Sequence, residues 1–168
     1  MSTRKMAQGF KQVTNVSTSG EYRNVDAERR QSLRLVYYWD KLRGDRTMPV
    51  EDDIDPDHEA IRDIWDHCFI VQMRDLINKE FNYTYLGPAI VDAYQGTLCG
   101  TEHGELVSLN ASKLLDAYQE VIDTARPVLY SGECNDAGGG NVKFRQCLLP
   151  LGRQQVEVIF GHMTYGVY

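Results

Sequence analysis

No stretch of the 168-residue chain approaches the roughly 18 consecutive apolar residues that a membrane-spanning helix needs. The N-terminus has no apolar segment of the kind that marks a secretion signal. The chain is short of basic residues, with 18 Lys and Arg against 24 Asp and Glu, for a net charge of -6. A general nucleic-acid coat would carry the opposite balance. Its four cysteines, Cys68, Cys99, Cys134 and Cys147, include no C-x-x-C pair, which argues against a structural zinc site. Without a secretion signal they are expected to be reduced, small buried hydrophobes. The histidines His58, His67, His103 and His162 have no H-x-x-x-H spacing, and no H-E-x-x-H occurs. There is no G-x-S-x-G, and Gly138-Gly139-Gly140 is followed by neither Gly-Lys-Ser nor a helix, so it is no phosphate cradle. These absences leave one soluble, cytoplasmic domain for which no catalytic residue, metal ligand, cofactor, nucleic acid or membrane is expected.

The remaining 42% apolar and 25% charged composition is that of an ordinary globular domain long enough to bury its own core. Residues 1–24 are rich in Ser, Thr, Gly, Asn and Gln, and read as a flexible tail. Residues 25–168 read as a single domain.

That domain opens with a helix predicted over 26–43, capped by Asp26 and stopped at Gly44. Leu33, Leu35, Val36, Tyr37, Tyr38, Trp39 and Leu42 cover more than one stripe of it. A helix apolar on two sides must bury both. One side can meet its own domain. The other is a candidate partner surface, for which Leu35, Tyr38, Trp39 and Leu42 are the candidates, because aromatic residues suit interfaces.

Between Glu51 and Asp66 stand eight acids and one base, a local charge of -7 punctuated by Pro49 and Pro56. Asp53-x-Asp55-x-Asp57 has the opening of a calcium loop. The Gly and Glu that such a loop needs at its sixth and twelfth positions are replaced by His58 and Ile64. The acids are therefore read as a solvated connector, with Asp55 capping a short helix through Ile61, Ile64 and Trp65.

Strands are predicted over 68–73 and 81–86, then a short helix or turn at 89–94 and a helix over 110–125 that Pro127 ends. Three more strands are predicted at 128–134, 142–149 and 156–165, the first two joined through the Gly-rich tip. Hairpin-joined strands on both sides of a helical insert give an α+β fold with a five-stranded antiparallel sheet. Six tyrosines (Tyr83, Tyr85, Tyr94, Tyr118, Tyr130 and Tyr165) fall in elements that should face the sheet core. Each brings a ring and a hydroxyl that needs a partner. Such a set either lines a small-molecule cavity or simply fills the core; for a cavity the candidates are Tyr85, Tyr94, Tyr118 and Phe144.

Three groups of residues carry a resemblance. They are Leu35-Val-Tyr-Tyr-Trp-Asp-Lys-Leu-Arg-Gly44 with Met48-Pro49 and Asp53-Ile-Asp55-Pro56; Phe81-Asn-Tyr-Thr-Tyr-Leu-Gly87; and Thr124-Ala-Arg-Pro127-Val-Leu129 with Leu148-Leu-Pro-Leu151. Over residues 33 to 165 the chain resembles a bacterial PAS-like family, the PAS_5 group, found mostly in alphaproteobacteria. The resemblance implies a PAS fold: a five-stranded antiparallel sheet with helices on one face and an extra N-terminal helix. It also implies a sensory or interaction module in signal transduction. The expected partners are a second copy, forming a homodimer, an unidentified signalling protein, and a small-molecule ligand. Thr84 and Gln146 depart from the pattern, standing where that family would carry Arg. Cys134-Asn135 lies on a predicted strand rather than in the helical Asn-Cys-Arg motif of flavin-binding PAS proteins. His103, before the long helix, stands where a sensor fold can hold a haem ligand.

Overall fold

The computed structural model describes residues 19–75, 80–96, 111–135 and 141–167, with side chains described over 29–73, 81–92, 116–133 and 143–165. Helix α1 spans Ser19–Arg43 and so starts before the predicted Asp26. Its end is set as the sequence indicates. Gly44 takes φ 59°, and the Arg46 guanidinium donates to the exposed carbonyls of Leu42 (2.6 Å) and Arg43 (3.1 Å). Lys41 and Arg43 in the last turn complement the helix dipole.

The segment after Pro56 is not the α-helix expected. It is a chain of turns closed by bonds such as Ile61 N–H to His58 O (3.0 Å) and Ile64 N–H to Ile61 O (3.1 Å), ending in a 3-10 turn at Trp65–His67. Asp55 does not cap a helix. Its carboxylate accepts from Asp57 N–H (3.0 Å), an Asx turn that diverts the backbone from helical geometry. Asp53 accepts from Val50 N–H (3.0 Å) and pairs with Arg46 (3.0 Å). The acids of the calcium-like run thus organise the connector itself.

Five strands follow: β1 (Cys68–Asp75), β2 (Glu80–Leu86), β3 (Val128–Asn135), β4 (Asn141–Leu151) and β5 (Val158–Val167). They form one sheet in the order β2-β1-β5-β4-β3, with every pairing antiparallel. Helices α2 (Pro88–Gly96) and α3 (Ala111–Thr124) lie between the two hairpins. α3 ends where Ala125 adopts φ 52° and its N–H returns to Val121 O (2.8 Å).

Strand alternation divides the sheet into two faces. The inner face carries Val71, Phe69, Met163, Gln146, Tyr130 and Phe144, and α3 covers it through Ala117, Tyr118 and Val121, all almost fully buried. The Phe81 ring meets Tyr118 edge-on at 5.2 Å, and Tyr165 hydroxyl donates to Ala89 O of α2 (3.5 Å). The outer face carries Cys68, His162, Cys147, Phe160, Leu129 and Ser131. α1 and the connector lie across it: Trp39 Nε1 donates to Pro150 O (2.7 Å), and the Trp65 ring lies 5.9 Å from Phe160. The PAS resemblance implied helices on one face plus an N-terminal helix; that helix covers the opposite face, so the sheet is sandwiched.

Two glycines make the inner face possible. Gly161 and Gly132 lie directly opposite Phe69 and Phe144, whose rings fold over them. An added Cβ would fall 2.0 Å from Phe69 Cζ at Gly161 and 2.7 Å from Phe144 Cζ at Gly132.

Candidate functional site

The inner face beneath α3 gathers the described aromatic and polar groups most suited to hold a small molecule. Cross-strand register sets Tyr130, Gln146 and Met163 side by side on β3, β4 and β5, and sets Gly132, Phe144 and Tyr165 in the next row. All of Tyr130, Gln146, Met163 and Phe144 are buried. Among the described residues Gln146 Nε2 donates only to the Met163 sulfur, at 3.5 Å, a weak acceptor. Gln146 Oε1 and the Tyr130 hydroxyl have no hydrogen-bond partner among the described residues. Buried polar atoms are normally paired, because a lost partner leaves a desolvation penalty of about 1–3 kcal/mol. Burial, reinforced by Asp116, pushes the Tyr130 hydroxyl up to about 12, so it is a neutral donor at physiological pH.

At the β1–β2 end of the same face, the Tyr83 and Tyr118 hydroxyls bond each other at 2.9 Å. Burial raises the Tyr83 hydroxyl pKa above its ordinary value, while the bond to Tyr118 lowers it less. Aromatic walls with a few convergent polar atoms are the usual make-up of a small-molecule site. Glu120 on α3 is a further buried acid, 4% exposed, with neither carboxylate oxygen hydrogen-bonded among the described residues.

Of the four residues expected to line a cavity, Tyr118 and Phe144 stand on this face. Tyr85 does not. A β-bulge makes Ile70 face Tyr85 and Val71 face Tyr83, with Thr84 as the extra residue of β2. Tyr85 is therefore turned to the outer layer, where its ring stacks on Trp65 at 4.6 Å and its hydroxyl donates to Trp65 O (3.2 Å). Tyr94 belongs to α2, and its side chain lies outside the described residues, as do His103 and the Gly138–Gly140 tip. Gln146 was marked in the sequence only as a departure from the family, yet it occupies the middle of the inner face.

The partner-surface residues are placed differently from expectation. Leu35, Tyr38 and Trp39 are buried within the chain, and Leu42 is half-buried against the same core. Tyr38 is covered by the connector, its ring 4.8 Å from His58 and its hydroxyl accepting from Asp55 N–H (3.4 Å). Among the described residues the exposed large hydrophobic side chains are Leu33 (58% exposed) and Tyr37 (61%), one helical turn apart. They border a groove of about 880 Å³ that runs between α1 and the start of β3, lined also by Trp39, Arg126 and Leu129.

Comparison with family models matches residues 27–164 to the PAS_5 family, described as a PAS domain. The chain belongs to the PAS domain family. The sheet order and the helices between its two hairpins agree with that assignment. No curated protein and no solved structure gave a significant match. PAS domains are in general sensory or regulatory modules rather than catalysts, and the inner face described above is this PAS domain's aromatic layer. No helix among the described residues is long and apolar enough to cross a membrane.

Proposed function

We propose that this PAS domain is a cytoplasmic, bacterial signalling module without catalytic activity that passes its signal by protein contact through α1. The observation that supports this reading most is the exposed Leu33–Tyr37 pair at the mouth of the α1–β3 groove. Exposed large apolar side chains grouped on one surface mark contact sites. A second copy of the chain is the partner that α1 itself favours. Arg30, Leu33, Tyr37 and Asp40 are all exposed and share one stripe at spacings of three, four and three. Two such stripes running antiparallel set Leu33 on Tyr37 and Arg30 on Asp40, twice over. The test is native mass spectrometry of the wild type and of Leu33→Asp with Tyr37→Asp. A wild-type dimer that becomes a monomer in the variant supports the reading. A wild-type monomer, or a dimer indifferent to the variant, defeats it.

The second reading is a small-molecule receptor, supported by the Tyr130 hydroxyl and Gln146 Oε1, which stand between aromatic walls with no hydrogen-bond partner among the described residues. The same spectra test it through retained mass. A thermal-shift screen adds a second check, since a ligand selective for the folded state raises its stability.

A further inference from the structure

Beneath α1 lies a polar cluster that the inner face does not use. His162 on β5 faces Cys68 of β1 on one side and Cys147 of β4 on the other, so the three form one row on the outer face. His162 is 3% exposed, and its Nε2 has no hydrogen-bond partner among the described residues. Each element packed around it contributes a charged or titratable group. α1 brings Arg34, and the connector brings Asp63, which pairs with Arg34 at 3.2 Å. The 3-10 turn brings His67, its ring 6.3 Å from that of His162. β1 and β4 bring Cys68 and Cys147, and Arg145 lies two residues along β4 on the same face. Cys68 is already committed to Ile64 O (3.3 Å).

We propose that His162 is a proton-binding site that couples pH to the seating of α1, its ring being held neutral beneath the docked helix and taking up a proton when the helix lifts. Several observations converge on this. A proton on the buried ring would stand beside the Arg34 guanidinium and the His67 ring, with Asp63 as the acid that opposes them and that acid shared with Arg34; Asp66, in the same 3-10 turn as His67, acts on the neighbouring Cys68. Burial first, then His67 and Arg34, hold the His162 pKa down to about 3, with Asp63 opposing them. Once α1 is raised, water reaches the ring, and the ordinary value of 6.5 returns. The tie most easily released is the Arg34–Asp63 pair, because both side chains are partly exposed.

The sign follows from linkage. The docked state binds fewer protons than the lifted state at any pH between the two values. Docking is therefore at full strength above about pH 6.5 and weakens as pH falls toward 3. From pH 7.5 to 5.5 the opening constant of α1 should rise about tenfold, because the neutral share of a group of pKa 6.5 in the lifted state falls about tenfold. This deepens the reading of α1 as the output element: the proton becomes the input.

The test is hydrogen exchange of the full chain at pH 7.5 and 5.5, corrected for the chemical exchange rate. Amides of residues 35–42 should exchange through an opening less costly than that of β4 and β5, and that opening should rise about tenfold at pH 5.5. In His162→Gln the pH response should vanish. Asp63→Asn, altered at a partly exposed position, guards against a variant that does not fold; it should open more at both pH values and keep the tenfold response. A pH-independent opening of α1, opening only together with β4 and β5, or loss of the response in Asp63→Asn each overturns the proposal. None of these outcomes bears on whether Leu33 and Tyr37 form a dimer, which the mass measurement decides alone.

Discussion

Replacing Gly161 by Ala puts a methyl group where the Phe69 ring already is. The new carbon would lie 2.0 Å from Phe69 Cζ and 2.4 Å from both Cε atoms, so it falls on the face of the ring, over its far end. Ordinary carbon contacts are about 3.5–4.0 Å, so the ring must retreat by about 1.5 Å. Phe69 is 3% exposed, and its retreat is blocked by the Tyr83 ring, whose centroid is 6.0 Å away and whose hydroxyl is tied to Tyr118. The neighbouring strands β1 and β4 fix the backbone of β5 on both sides. Overpacking of this kind costs about 3 kcal/mol, a large part of the roughly 5–15 kcal/mol that holds a domain folded. Phe69→Leu removes the far end of the ring, and alone should cost about 1.5 kcal/mol. In the double variant the methyl group then has room. The combined loss should fall short of the sum of the single losses by about 1 kcal/mol or more. Urea unfolding of the four proteins, compared at constant m-value, measures this. Gly161→Ala within 0.5 kcal/mol of wild type, or simple additivity in the double variant, would refute the packing argument, on the roughly 0.5 kcal/mol scatter expected for independent sites.

Other variants probe other links. Gly44→Ala meets no atom within 4 Å but keeps φ 59°, so only backbone strain acts, and urea unfolding should show a loss of about 1 kcal/mol. Ala125→Gly removes the same kind of strain, at φ 52°, and should raise stability by about 0.5–1 kcal/mol in the same assay. Trp39→Phe keeps the buried ring but deprives Pro150 O of its donor, and should cost about 1–2 kcal/mol and speed exchange of the α1 amides. Tyr83→Phe should cost about 1 kcal/mol, and Tyr83→Phe with Tyr118→Phe less than the two single losses together, because both hydroxyls then leave. Burial pushes the Cys147 thiol up to about 12, so peptide mapping after alkylation at pH 8 should find it unmodified under native conditions.

The parts of the fold legible in the sequence are those whose signal is local. The strands and α3 announce themselves by periodicity and by turn residues such as Pro127 and Gly87. α1 was legible in its apolar C-terminal half, but not between Ser19 and Val25, where small and polar residues carry no helical signal of their own. In the connector, Asp55-Pro56-Asp57 admits both a helix cap and an Asx turn, and the turn prevails. The spacing of Leu35, Tyr38, Trp39 and Leu42 marks one apolar stripe correctly. Whether such a stripe meets another protein or its own sheet depends on what lies opposite, and here the outer face of the sheet does. The inner site was half legible for a related reason. Tyr118 follows from helical spacing and Phe144 from strand alternation, whereas Gln146 and His162 matter because of what covers them, which no local pattern records.

The bulge at Thr84 gives the two layers a mechanical connection. One residue separates Tyr83, bonded within the aromatic layer to Tyr118, from Tyr85, stacked on Trp65 at the edge of the connector. The two rings therefore stand on opposite faces of the sheet with a single residue of backbone between them. The strand edge farthest from α1 thus offers a covalent route of three residues from the aromatic layer on one face to the connector on the other.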